Sequence, residues 1–80
     1  MKQYGKLGEL DLVTCNRCGK ALKVEKGFLR EGALEVEKNW GYFSRKDGQT
    51  HKFDLCEDCY DELLRGFLVP PAVEERTELI

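Results

Sequence analysis

Two C-x2-C pairs within 80 residues, alternating apolar and polar segments between them, and one helix-period stripe after the second pair predict a small α+β metal-stabilised domain. The pairs are Cys15 with Cys18 and Cys56 with Cys59, separated by 37 residues, and no cysteine is left over. Cysteines two residues apart in a tight turn can aim both sulfurs at one ion, about 2.3 Å away. Two such pairs complete a tetrahedral zinc site, one ion per chain, with no open position, which is the arrangement of structural zinc. Length points the same way, because a chain this short has little room for a core and commonly needs a staple. With 41% hydrophobic and 35% charged residues the composition is that of an ordinary globular domain rather than a disordered chain.

A disulfide framework is the rival use of an even cysteine count. Residues 1–19 lack the apolar run of a signal peptide or membrane span, so the expected compartment is the cytoplasm, where thiols stay reduced. Three-residue spacing would also close a small strained ring, a redox geometry that belongs in a βαβ setting not visible here.

The expected domain is single over 1–80, with a flexible lead-in at 1–8, a zinc-finger core at 9–67 and an extended arm with a polar tail at 68–80. From Glu9 the sequence alternates, Leu10 and Leu12 on one face and Asp11 and Val13 on the other, as a strand delivering the chain to Cys15. Gly19 after Cys18 suits the positive φ of a knuckle turn that points backbone N–H groups at thiolates. Residues 21–26 alternate again, with Leu22 and Val24 inward, and complete a first hairpin; 28–33 fits a loop or a further strand equally well.

Residues 34–44 form the longest strand candidate, with Leu34, Val36, Trp40 and Tyr42 on one face and a bulge at Gly41. Arg45-Lys46-Asp47-Gly48 reads as the turn of a second hairpin that returns through His51, Phe53 and Leu55. Asp54 and Glu57 have the form of a capping box, Cys56 and Cys59 then fall in the first helical turn, and Tyr60, Leu63, Leu64 and Phe67 make an apolar stripe ending near Gly66. Past it, the prolines at 70 and 71 stop any helix.

A Gly-followed knuckle, a hairpin, and a second cysteine pair opening a helix resemble the treble-clef class of zinc fingers. A zinc ribbon is the alternative, but ribbons place both pairs in Gly-followed knuckles, whereas Tyr60 follows Cys59. The fuller string Cys15-x2-Cys18-Gly19-Lys20, Trp40-Gly41-Tyr42-x-Ser44-x2-Asp47-Gly48 and Leu55-Cys56-x2-Cys59-Tyr60 is similar to small uncharacterised bacterial four-cysteine proteins. That likeness spans about residues 13–70 and implies no activity.

Four cysteines saturating the metal leave no water site for hydrolysis, and no nucleophile and base stand together, so catalysis is not expected. A rubredoxin-like iron carrier would want a second knuckle glycine. Charge is polarised: residues 1–30 carry seven basic against three acidic residues, 31–53 balance, and 54–80 carry two against eight. The expectation is a module for a protein partner, or for self-association through the arm, with no membrane contact. Nucleic acid is the alternative, through Arg17, Lys20, Lys23, Lys26 and Arg30 or through Arg45 and Lys46 at a hairpin tip, against a net charge of −2. His51 is expected in the core or beside the metal ligands, Trp40, Tyr42 and Phe53 in the core, and Phe43 in solvent.

Overall fold

The cysteine pairs are carried by an antiparallel strand system that runs without a loop into a helix, in a computed structural model describing residues 1–76. Strands β1 (Lys2–Tyr4), β2 (Leu10–Thr14) and β3 (Ala21–Leu22) form a three-stranded sheet with β2 central. Strands β4 (Val24–Glu25) and β5 (Phe28–Leu29) make a short hairpin, and β6 (Ala33–Asn39) pairs with β7 (Thr50–Cys56). Helix α1 (Glu57–Arg65) follows directly and packs on β6 and β7. No described helix is long and apolar enough to cross a membrane.

Local chemistry accounts for the turns. Lys26 and Gly27 both take positive φ, 51° and 79°, the primed geometry whose twist matches a two-residue hairpin. The expected strand over 21–26 is therefore cut in two, and Phe28–Leu29 becomes its partner instead of a loop.

Several expectations are corrected. The lead-in at 1–8 contains β1, with Lys2 opposite Val13. Val13, placed on the outer face, is fully buried, because β2 is covered by β4, β5 and β7 as well as by its sheet neighbours. The strand expected over 34–44 ends at Asn39, and 40–49 is a run of turns closed by Trp40 N–H donating to Gln49 O at 2.9 Å. Gly41 is thus a turn residue, with its carbonyl accepting from Ser44 N–H at 2.9 Å, and not a bulge. Tyr42 is 84% exposed rather than buried, while Phe43 stands in solvent as expected. Asp54 does not cap the helix; Cys56 holds that position, in extended geometry. Of the polar tail, residues 77–80 lie outside the described residues.

The buried core is small: Val13, Leu22 and Leu55 with Cys15, Cys56 and Cys59. Leu10, Val24, Leu29, Ala33, Leu34 and Phe53 pack around it, half covered. Among the described residues, half of the buried apolar side chains are therefore site cysteines. The radius of gyration, 15.3 Å, exceeds the about 12 Å expected for a compact chain of this length.

Candidate metal centre

Three elements bring the four sulfurs together. β2 ends at Thr14, immediately before Cys15, and the following turn reverses over Asn16 and Arg17, with Gly19 N–H donating to Cys15 O at 2.9 Å and Cys15 N–H to Lys20 O at 2.9 Å. Gly19 sits at φ 82°, a conformation disfavoured for residues carrying a Cβ. The turn leaves the Cys18 N–H 3.5 Å from Cys15 Sγ, able to donate to the thiolate. From the other side, β7 delivers Cys56 at the N-cap of α1, and Cys59 lies three residues on, over the same face. The Cys56 side chain makes no capping bond; its sulfur faces the cluster.

Cys15, Cys18, Cys56 and Cys59 place their sulfurs within 4.8 Å of one another, and none is in a disulfide. Cys18 Sγ and Cys56 Sγ are 3.8 Å apart. An ion holding four sulfurs tetrahedrally at about 2.3 Å requires edges of about 3.8 Å. The donor set thus fits one metal ion. Three of the sulfurs are buried, and Cys18 alone lies at the surface.

Electrostatics favour a cation at the centre. Burial opposes ionisation of Cys15, but backbone N–H groups of Cys18, Cys56 and Arg17 outweigh it and bring the thiol down to about 6. At Cys59 the Arg17 guanidinium favours the thiolate, yet burial and the three neighbouring sulfurs push it up to about 12. One thiol ionises readily and the last resists sharing the site with negative neighbours; a divalent ion removes that conflict by supplying positive charge among them.

A polar clamp aligns the two halves. Asn16 N–H donates to Asp54 O at 2.8 Å, and Asp54 N–H donates back to Asn16 Oδ1 at 2.9 Å, which ties the knuckle to the strand carrying Cys56. The Asp54 carboxylate is buried and accepts from the Met1 ammonium at 2.6 Å and from Lys2 Nζ, whose ammonium also lies 3.1 Å from Glu35. Burial alone would raise Asp54, but these two cations hold it below the usual carboxylate range. Met1 also donates to Thr14 O and to Asn16 Oδ1, both at 2.6 Å. Arg17 reaches across to α1, donating to Cys59 Sγ at 3.5 Å and to Glu62 Oε2 at 2.9 Å.

Sequence reasoning missed the roles of Asn16, Asp54 and Arg17 at this site. The Cys-x2-Cys spacing marks Asn16 and Arg17 only as intervening residues, Arg17 also being a candidate phosphate contact, and Asp54 carries a misleading helix-start signal. His51 is neither core nor next to the cysteines: it is exposed at the far end of β7, against Gln49 and edge-on to Trp40. Set against protein-family models, curated proteins and solved structures, the chain matches none of them.

Proposed function

We propose that this chain is a zinc-stapled interaction module of treble-clef type, with a purely structural metal and a protein-docking surface at the helix end and the segment that follows. The observation that carries the docking role is a run of uncovered apolar side chains: Leu63, Phe67, Leu68, Val69 and Val73 are 43%, 45%, 97%, 75% and 80% exposed. Such a series within eleven residues, on a domain with so small a core, is what an interface leaves open when its partner is absent. The acidic residues of α1 and the basic knuckle half suit head-to-tail contact between copies or a partner with a basic rim.

Zinc is the metal that four thiolates in a closed tetrahedron favour in a redox-silent role. The knuckle with Gly19, the β6–β7 hairpin and the helix opening at the second pair support the treble clef over the ribbon. Light scattering over a concentration series, on the full chain and on a chain ending at residue 67, tests the docking surface. Self-association that disappears on truncation is expected. If the full chain stays monomeric, crosslinking in cell extract should yield adducts that Leu68→Glu with Val69→Glu abolishes; adducts indifferent to both changes would reject the arm as the docking element.

A further inference from the structure

The β6–β7 tip has a chemistry that the metal centre and the arm do not use. Between residues 38 and 52 stand Lys38, Arg45, Lys46 and Lys52 against one acidic residue, Asp47, in a chain whose overall charge is −2. Among the described residues, Lys52 is paired with Glu37 at 3.9 Å, while Lys38, Arg45 and Lys46 make no ion pair. The ammonium groups of Lys38 and Lys46 lie 5.5 and 4.9 Å from the Trp40 ring centroid, which keeps them at the tip. Beside them Tyr42 and Phe43 are 84% and 98% exposed, edge to face with centroids 5.2 Å apart. Two exposed rings therefore share one turn segment with cationic side chains.

We propose that this tip is a binding site for single-stranded nucleic acid, with Tyr42 and Phe43 stacking on bases and Lys38, Arg45, Lys46 and Lys52 contacting the phosphates. Stacking needs only a ring face per base and tolerates any sequence, while the cations supply the attraction to the backbone. An anionic membrane fits less well. Two apolar residues followed by Ser44, Arg45, Lys46 and Asp47 offer little area to insert, whereas two rings suffice for two bases.

The acidity of the chain does not oppose this. The ladder runs in register from Ala33 opposite Cys56 to Asn39 opposite Thr50. Six steps separate Thr50 from Cys56, about 20 Å of strand. That is about two and a half times the roughly 8 Å screening length at physiological salt, so the negative charge of α1 is largely silent at the tip.

Trp40, the sole tryptophan, sits inside the proposed site and reports on it directly. Metal-loaded full chain would be titrated with mixed-sequence single-stranded RNA and DNA, following tryptophan fluorescence and anisotropy from about 50 mM salt upward. Expected are quenching on binding, weaker binding to duplex, and a slope of log affinity against log salt of about −2 to −3 for three to four phosphate contacts. Tyr42→Ala and Phe43→Ala should each weaken binding by roughly 5- to 150-fold, with the melting temperature unchanged because both rings are exposed. Arg45→Glu with Lys46→Glu should flatten the salt slope, and Leu68→Glu in the arm should change nothing, which separates this site from the protein-docking surface. No binding at low salt, binding indifferent to the two aromatic changes, or ring-dependent binding to phosphatidylserine vesicles in place of oligonucleotides would each overturn the proposal.

Discussion

Asp54 shows how one buried charge can organise a small site. The residue is 3% exposed, yet the Met1 ammonium and Lys2 hold its carboxylate ionised, and its backbone grips Asn16. Asp54→Asn keeps the backbone contacts and removes the charge, so a loss of about 1–3 kcal/mol is expected, moderated by the partial exposure of both cations. The sign with pH follows from the lowered pKa. The ionised carboxylate stabilises the fold fully above its unfolded pKa, near 4, and that contribution is lost as pH falls through the folded value below it. In urea titrations the gap between wild type and variant should therefore be flat from pH 7 to about 5 and shrink below about 4; a gap that widens in acid would refute the pairing. Gly19→Ala meets no neighbour within 4 Å, so its cost is conformational, about 1–2 kcal/mol from φ 82° alone. Chemical denaturation checks the size, and metal content should stay at wild-type level.

Of the elements with local determinants the knuckle and the helix were legible in the sequence and the two-residue Lys26-Gly27 turn was not, while elements with distant determinants stayed hidden. The knuckle and the helix start are specified within a few residues, by Cys-x2-Cys-Gly and by a strand giving way to an acidic first turn and a helical stripe. β1 is three residues long and tied through Lys2 to Asp54, 52 positions away, so no window around it could reveal it. The second hairpin misled differently: alternation continues through Trp40 and Tyr42 after pairing has stopped. Once the tip is free of the ladder, Tyr42 turns outward and the long strand shortens to Asn39. This makes the tip separable from the fold. Replacing 41–48 by Asn-Gly, a two-residue primed turn between Trp40 and Gln49, should leave metal content unchanged and stability within about 1 kcal/mol by thermal melting. A collapse of stability would show that the tip supports the core.

At the scale of the whole molecule, the candidate metal centre and the buried core coincide. Val13, Leu22 and Leu55 are too few to hold the strands alone, and the other buried apolar side chains are the site cysteines themselves. A chelator should abolish the cooperative thermal transition and re-adding metal should restore it; Cys56→Ser should lose it outright. The three-stranded sheet leads into Cys15 through β2 and the β6–β7 pair ends on Cys56, so both converge on the candidate metal centre, while the tip at 40–49 lies at the opposite end of the β6–β7 ladder. The most direct test is native mass spectrometry with elemental analysis on protein that has met no added metal or chelator. The account predicts one zinc ion per folded chain. A folded chain without metal, or one closed by two disulfides, would contradict it.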